Sequence, residues 1–316
     1  MSNPRRIYLT WTETLDRFDQ ESDKILHSFL DPINASEPPH IIYHYTDADG
    51  LRGILETGRL WLSDIFTLND PSELEHGVWL ASRILRKNAA KGSEESKEFA
   101  RFFENFFRSE RNMRRANYFI CSFSSRRNDL AQWRAYANNG RGYALGFDAK
   151  RLQMAFEKHG CDIPVPAKAQ KVPGTFPVTY SDHKLAKIYS KIINLIPFPL
   201  PSNPSDRAKL LSILIARVLT ASLHFKHEAY RNEKEYRFLE LHGIMKPSQV
   251  SLRTRPDALI RYREFDWKKK AGGSLRTIIV GPAANQKGSQ FAEDCLRMFN
   301  LGNIKITSSD IPYRAL

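Results

Sequence analysis

Two stretches of the chain carry side chains whose types and spacing suit chemistry. Residues 41–46 are mostly apolar and end in a histidine, a tyrosine and a threonine, and a later stretch contains Glu233 and Glu235. Residues two apart in an extended strand project to the same side, so the two carboxylates are expected to lie together. Neighbouring carboxylates repel each other, and one pKa rises unless a cation intervenes. The pair therefore indicates either a catalytic use or a half-exposed strand that is neutralised by Lys234 or Arg237.

A third group of candidate residues combines aromatic rings with a cation. Trp133 and Tyr136 are three positions apart, on one face of a short helix or turn, and Arg134 lies beside them. The preceding strand carries Ser122 and Ser124. Two interpretations remain open: the helix packs both aromatics into the core, or the rings form a wall for a planar ligand while the arginine binds phosphate.

Several familiar sites are excluded by spacing. The glycines within residues 140–146 precede a strand, whereas the dinucleotide fingerprint follows one and opens a helix, and the chain has no Walker-type loop. His224 and His227 share a helix face but lack the order of the zinc peptidase motifs. We therefore predict no metal there, and a helix end favoured by cationic histidine instead. Three scattered cysteines predict neither disulfides nor a zinc site, and Cys121 is predicted to be a buried thiol.

Charge is the unusual feature of the composition. The 316 residues carry a formal net charge of +13, which creates a field that attracts nucleic acid, phosphorylated ligands or acidic proteins. Basic clusters lie at residues 108–115, 126–127 and 268–270. The N-terminus lacks the apolar segment of a secretory signal, and residues 210–223 are too short to span a bilayer and contain Arg217. We expect a cytoplasmic protein with no membrane partner.

Irregularly mixed helices and strands predict an α+β fold. Residues 1–40 are assigned to an N-terminal helical extension, and residues 41–316 to a single α+β domain with a helical insertion near 180–228. Strands are predicted over residues 41–45, 59–63, 117–124, 142–147, 235–241, 275–280 and 304–307. Helices are predicted over residues 10–31, 47–57, 72–88, 94–111, 129–137, 180–193, 206–225 and 286–299, and the phenylalanines of residues 94–111 are assigned to the core.

Taken in order, these motifs resemble an uncharacterised bacterial family, domain of unknown function 2971. The matching stretches are residues 43–46 with 50–55, 68–73, 121–124, 130–136 with 140–142, 233–237 and 311–314. They span most of residues 41–314, but membership of this family does not by itself imply a reaction.

The layout also resembles the ADP-ribosyltransferase superfamily, whose fold is a split, mainly antiparallel sheet flanked by helices. Enzymes of that class hold NAD in a cleft of the sheet without Rossmann glycines. The resemblance implies that Glu235 is the catalytic glutamate and that Glu233 orients the acceptor. His44 would bind the adenosine-side ribose, with Thr46 in support.

The remaining candidate residues are expected to complete the NAD pocket. Ser122 and Ser124 would line the nicotinamide site, and Trp133 with Tyr136 would supply the aromatic wall. Arg134 or Arg141 is assigned to the pyrophosphate without a motif match. Cleavage of the N-glycosidic bond of NAD passes through an oxocarbenium-like state, which a carboxylate on the ribose stabilises.

The leading hypothesis is an NAD-dependent ADP-ribosyltransferase acting on a protein or nucleic-acid acceptor, as a toxin or antiphage effector restrained by an antitoxin or regulatory partner. NAD is the substrate and no metal is expected. Alternatives are an NAD glycohydrolase, a noncatalytic nucleic-acid-binding module, and a metal-dependent nuclease that uses Asp70, Glu73 and the Glu233/Glu235 pair. The leading hypothesis expects His44 and Glu235 to face one crevice wide enough for a dinucleotide.

Overall fold

A computed structural model describes residues 10–67, 72–109, 117–158, 174–242, 245–255, 258–285, 287–302 and 304–314. Its helices are α1 (Trp11–Asn34), α2 (Ala48–Thr57), α3 (Ser72–Ala89), α4 (Glu94–Arg108), α5 (Leu130–Tyr136), α6 (Ala149–Glu157), α7 (Asp182–Ile193), α8 (Pro204–Leu223), α9 (Trp267–Lys270) and α10 (Gly288–Met298). Its strands are β1 (Ile41–Thr46), β2 (Arg59–Asp64), β3 (Asn117–Ser124), β4 (Tyr143–Asp148), β5 (Thr175–Pro177), β6 (Glu235–His242), β7 (Ser251–Arg255), β8 (Ala258–Asp266), β9 (Leu275–Val280) and β10 (Lys305–Ser308).

The strands of the described residues form one open, mainly antiparallel sheet, which confirms the predicted fold class. The strand order is β10-β9-β4-β1-β3-β2-β8-β7, with β6 paired to β3 and β5 paired to β6. Only β9 and β10 pair in parallel among these strands. Several antiparallel pairs join strands that are far apart in the chain, such as β1 with β4 and β2 with β8, whereas β7 and β8 form a short hairpin.

The sheet divides at β3. Strand β6 pairs with β3 along its whole length, so β1 and β2 must share the opposite edge. Strand β1 pairs there only at Ser124, whereas β2 pairs at Phe119 and Ile120. Between these contacts, residues 121–123 pair with neither strand in the described ranges, and an opening in the ladder results.

Apolar layers cover both faces of the sheet. Helices α1, α3, α4, α7 and α8 build the larger core and pack on β3, β5 and β6 through residues such as Ile120 and Leu239. The opposite face is covered by α2, α6, α9 and α10, against Phe119 and Phe123. A third, smaller cluster lies under α5.

Local sequence signals explain several helix ends. Thr10 and Glu13 form a reciprocal capping box at the start of α1. Asp47 caps α2, which ends at Gly58 in the left-handed conformation (φ 65°), as the sequence predicted. Helix α8 begins at Pro204, where the missing N–H is tolerated because a first-turn amide has no partner in the helix. No helix within the described residues is long and apolar enough to cross a membrane.

Some expectations were wrong. Helix α6, strand β5 and the hairpin β7–β8 were not predicted from the sequence. Phe99 and Phe103 are buried, but Phe102 is 50% exposed, so the phenylalanine stripe is only partly core. Most of the basic cluster at 108–115 lies outside the described residues. The division into an extension and a single domain stays a prediction; α1 packs against α7 and α8 in the larger core.

Candidate functional site

The register of β3 against β6 brings the predicted serines and carboxylates to one face of the sheet. Ser122 lies opposite Arg237, and Ser124 lies opposite Glu235. Side chains of paired residues project to the same face. The Ser122 hydroxyl donates a hydrogen bond to Oε1 of Glu235 at 2.7 Å, which links the two strands through their side chains.

Glu235 is held in a buried ion network. Nε of Arg237 lies 2.8 Å from Oε1, and Nη2 lies 3.0 Å from Oε2. Nζ of Lys226 lies 3.4 Å from Oε2 of Glu235 and 2.7 Å from Oε2 of Glu233. The side chain of Arg237 is 0% exposed and that of Glu235 is 4% exposed. Glu235 and Arg237 are therefore paired away from water, and Lys226 links them to the less deeply buried Glu233.

Charge compensation decides the ionisation of Glu235. Burial raises the pKa of this carboxyl, but the charges of Arg237 and Lys226, with hydrogen bonds from Arg237 and Ser122, outweigh burial and lower the pKa to about 2. Glu235 is thus ionised at neutral pH. The sequence predicted that Lys234 or Arg237 neutralises the two glutamates. Arg237 does pair with Glu235, and the second cation is Lys226 rather than Lys234.

Glu233 and Glu235 lie close together, but not because they are two residues apart in one strand as the sequence predicted. Glu233 ends a 3-10 turn, Lys234 adopts a left-handed conformation (φ 45°), and β6 begins only at Glu235. The Ser124 hydroxyl donates to the carbonyl oxygen of Glu233 at 2.6 Å and fixes this turn. The two carboxylates converge on Lys226 because the chain turns between them.

Two tyrosines close the network. The hydroxyl of Tyr136 donates to Oε1 of Glu233 at 2.9 Å, and the hydroxyl of Tyr180 accepts the amide of Glu235 at 2.8 Å. Burial raises the pKa of both phenols, so both stay protonated. Tyr136 remains 44% exposed, so its ring lies at the protein surface beside the ion network.

His44 reaches the same serine from the other edge of β3. Its Nδ1–H donates to the carbonyl oxygen of Ser122 at 3.1 Å, where the divided sheet leaves that carbonyl without a strand partner in the described ranges. Burial lowers the pKa of His44, so the imidazole is neutral. His44 therefore bonds the backbone of Ser122, while the Ser122 hydroxyl bonds Glu235.

The expected shared crevice is absent from the described part of the chain. The His44 ring contacts Phe123, which belongs to the core on the face opposite Glu235. Both oxygens of Glu235 are already bonded within the ion network. The histidine and the glutamate meet through Ser122, but they do not line a common cavity.

The other assigned residues are dispersed. Trp133 is fully buried against Tyr45, with its Nε1 donating to Asn128, so it belongs to the core rather than to a ligand wall. Arg134 and Arg141 are exposed and take no part in the contacts of the ion network described above. The Thr46 hydroxyl packs on Gly50 at the start of α2, since a Cβ there would lie 1.9 Å from its Oγ1.

A basic hollow of about 720 Å³ adjoins the turn that carries Glu233. Its lining includes Arg126, Arg127, Asn128 and Lys234, with one acidic residue, Asp310. The loop is held in place because the amide of Arg126 donates to the Ser124 hydroxyl and its carbonyl accepts from Tyr45. The sequence showed this pair of arginines as a charge cluster but gave no sign that they adjoin the carboxylates.

The histidine assignment needs correction, and the metal alternative gains no support. Burial lowers the pKa of His224 to about 4, so the histidine at the end of α8 is neutral rather than cationic. Within the described ranges, no three His, Cys, Asp or Glu side chains are arranged to hold a metal ion. Asp70 and the side chain of Glu73 lie outside the described residues. Cys121 is buried, as predicted, and burial raises its pKa to about 12.

Comparison with known proteins supports one of the two resemblances. Residues 132–238 match the family model described as Protein of unknown function (DUF2971). No curated protein and no solved structure matches the chain. The resemblance to ADP-ribosyltransferases gains no support from these comparisons.

The DUF2971 match is shorter than the ordered motifs suggested. It begins in α5 and ends in β6, so it contains Glu233 and Glu235 together with their partners Tyr136, Lys226 and Arg237. It does not extend to β1 or β3, which supply His44 and Ser122.

Proposed function

We propose that this chain transfers ADP-ribose from NAD to a protein or nucleic-acid acceptor. The observation that carries the proposal is the 2.7 Å hydrogen bond from Ser122 to Glu235, made at the point where the sheet divides. His44 is bonded to the same serine, so three separately singled-out stretches converge on one residue. A hydroxyl that holds a buried carboxylate in one orientation is the preorganisation that transition-state stabilisation needs.

The ionisation of Glu235 suits the reaction. Departure of nicotinamide breaks the bond between ribose C1′ and the ring nitrogen, and the bonding electrons leave with the ring. The positive charge that develops on the ribose is stabilised by an ionised carboxylate, as in glycoside hydrolysis. A pKa of about 2 keeps Glu235 in that form at neutral pH.

Glu233 suits the role of base toward the acceptor. Its side chain is 15% exposed, against 4% for Glu235, so it is the carboxylate nearer to solvent. When the acceptor attacks C1′, its proton passes to Glu233. If water attacks instead, the same geometry gives an NAD glycohydrolase.

A substrate can reach the Glu235 carboxylate only if one of its present contacts breaks. Ser122 and Arg237 hold its oxygens at 2.7 to 3.0 Å, whereas Lys226 lies 3.4 Å away and has a closer partner in Glu233. We infer that Lys226 withdraws to admit a ribose hydroxyl, because its contact with Glu235 is the longest of the set. The exposed ring of Tyr136, anchored on Glu233, would then flank the nicotinamide.

The basic hollow supports diphosphate binding. Arg126, Arg127 and Lys234 supply three positive charges beside the Glu233 turn, and arginine forks match phosphate oxygens in geometry. This replaces the assignment of Arg134 or Arg141 to the pyrophosphate.

The test is release of nicotinamide from NAD by the native chain and by Glu235→Gln, with a cell extract as the source of acceptors. Loss of the carboxylate charge is expected to lower the rate at least about a hundredfold, the range for loss of one transition-state contact. Glu228→Gln is the matched control, since Glu228 belongs to the same turn but pairs with Arg231 at the exposed surface. In cells, the proposal predicts that expression of the native chain is toxic and that expression of Glu235→Gln is not.

The outcome that overturns the proposal is absence of nicotinamide release by the native chain with extract. Equal rates for native protein and Glu235→Gln would remove Glu235 from the reaction. Thermal unfolding of each variant, followed in parallel, separates a catalytic loss from unfolding.

A noncatalytic nucleic-acid-binding module is the second candidate, and the basic hollow with the net charge of +13 favours it. Phosphate binding weakens steeply with salt, whereas nicotinamide release requires turnover. Salt-sensitive binding without release of nicotinamide would select this alternative.

A further inference from the structure

The last described segment of the chain lies against the basic hollow, and the proposed reaction gives this segment no role. Strand β10 ends at Ser308, and residues 309–314, here called the C-terminal strap, follow it. The strap contains residues 311–314, one of the stretches that matched the family motifs. Asp310 and Ile311 are the strap's contribution to the lining of the hollow.

Asn128 holds the strap at the rim of the hollow. Its Oδ1 accepts from the Trp133 indole at 2.7 Å and from the Ser309 hydroxyl at 2.8 Å. Because an indole N–H can only donate, the amide nitrogen of Asn128 must face the other way, and it donates to Oδ1 of Asp310 at 2.5 Å. A neutral amide therefore positions the Asp310 carboxylate at the hollow.

Side-chain contacts also fix the far part of the strap. The Tyr313 hydroxyl donates to Oδ1 of Asn139 at 2.6 Å, and its ring lies over Gly140, where an added Cβ would be 3.1 Å from a ring carbon. Ile311 packs against the third apolar cluster, under α5. The six described residues of the strap form no strand, so the strap can shift while β10 stays paired with β9.

Two other carboxylates near the hollow are held by elements outside the strap. Oδ2 of Asp129 lies 4.0 Å from Nε of Arg126, while its Oδ1 accepts from two backbone amides at the start of α5 and is fixed there. The Glu233 carboxylate is bonded to Lys226 within the ion network. Among the residues that line the hollow, Asp310 is the acidic one, and it lies on a segment that can shift.

We propose that the C-terminal strap competes with phosphate for the basic hollow, and that a bound diphosphate displaces the Asp310 carboxylate. Carboxylate and phosphate oxygens are alternative partners for the same arginine and lysine side chains. A volume of about 720 Å³ falls within the range of small-molecule sites, roughly 300 to 1,000 Å³, which favours a nucleotide diphosphate over a nucleic-acid backbone. That this ligand is the diphosphate of NAD rests on the proposed function, whereas the competition itself does not.

The test is isothermal titration calorimetry with inorganic pyrophosphate at low salt, on the native chain and on Asp310→Asn. Asparagine keeps the shape and can still accept from Asn128, so the strap stays attached while its charge is removed. The variant should bind pyrophosphate at least about fivefold more tightly, the effect of one unit charge about 4 Å away in water. Because Asp310 is exposed, added salt should reduce this difference.

Asp294→Asn is the matched control, because it also removes one exposed carboxylate. Asp294 lies on α10, where it pairs with Arg297, and it does not line the hollow. Its replacement should change the affinity for pyrophosphate less than about twofold. Tyr313→Phe keeps the ring over Gly140 but removes the bond to Asn139, so the strap is held less firmly and the affinity should rise at least about twofold.

Absence of pyrophosphate binding by both the native chain and Asp310→Asn would overturn the proposal, as would equal increases in Asp310→Asn and Asp294→Asn. Equal affinities of Tyr313→Phe and the native chain would mean that the strap stays in place, which contradicts displacement. ADP-ribose contains the diphosphate of NAD and should rank the variants in the same order. A labelled single-stranded oligonucleotide that binds Asp310→Asn more tightly, while pyrophosphate and ADP-ribose do not bind, would assign the hollow to nucleic acid and reject the diphosphate.

These titrations need no turnover, so their outcome can be separated from that of the proposed reaction. A higher affinity of Asp310→Asn for pyrophosphate, without nicotinamide release by the native chain, would reject only the reaction. Nicotinamide release by the native chain, with no change of affinity in Asp310→Asn, would reject only the competition.

Discussion

Glu235→Gln is expected to lower the free energy of unfolding by about 3 kcal/mol at pH 7. Glu235 has an ordinary pKa of 4.5 and a folded pKa of about 2, and each tenfold difference in proton affinity is worth about 1.4 kcal/mol. Glutamine keeps the shape and can accept a hydrogen bond from Ser122, but it leaves Arg237 without a full counter-charge in a site with 0% exposure. Breaking a buried ion pair by removing one partner costs about 3 to 5 kcal/mol, which agrees with this value.

The sign of the pH dependence follows from the lowered pKa. A group whose folded pKa is depressed contributes stability above its unfolded pKa and loses it as the pH falls through the folded pKa. The difference between native chain and Glu235→Gln should therefore persist from pH 7 to about 4.5, halve near pH 3 and vanish near pH 2. Urea unfolding at fixed pH measures it.

Glu228→Gln is the control for this stability measurement, because it also replaces one carboxylate by an amide. Its partner Arg231 is exposed, so the expected loss is below about 0.5 kcal/mol. Equal free energies of unfolding for Glu235→Gln and the native chain between pH 5 and 7 would refute the closed ion network. A difference that grows as the pH falls would refute the assigned ionisation.

Three other measurements test the fold and the site. Gly53→Ala should raise the free energy of unfolding by about 0.5 to 1 kcal/mol, since nothing lies within 4 Å of the added Cβ in helix α2. Gly142→Ala should lower it, because the added Cβ would lie 2.2 Å from the carbonyl oxygen of Thr46. Urea unfolding measures both changes. Cys121 should resist alkylation at pH 8 in the native chain and react in urea, since burial raises its pKa to about 12, and peptide mass mapping reports the label. Lys226→Met should raise the pKa of Glu235 by removing a charge 3.4 Å away, so the stability of this variant should begin to fall at a higher pH on acidification than that of the native chain.

Much of the fold could be predicted because local signals were strong. The cap at Asp47, the left-handed Gly58 and the alternating or apolar runs of β1, β3 and β6 each depend on neighbours in sequence. The hairpin β7–β8 was missed because its residues are rich in arginine, and only Ile260 and Phe265 of β8 are buried. Short β5 lies next to a long segment without periodicity, and only its pairing with β6 defines it.

The candidate site could be predicted only in part. Strand spacing indicated Glu233 and Glu235, and the resemblance to ADP-ribosyltransferases indicated Ser122. Lys226 could not be found in this way, since it reaches the carboxylates from the end of another helix, and nothing in its sequence neighbourhood marks it as buried. Trp133 was ambiguous for the opposite reason: helical spacing is the same for a core aromatic and for a ligand wall, and only packing on Tyr45 decides between them.

The most direct test of the central claim is the turnover number for nicotinamide release from NAD by the native chain, Ser122→Ala and Ser122→Thr. The account predicts release by the native chain, a loss of at least about tenfold in Ser122→Ala because Glu235 loses its orienting hydrogen bond, and recovery in Ser122→Thr, which keeps the hydroxyl. Native protein that leaves NAD intact, or a Ser122→Ala variant as fast as the native chain, would contradict it.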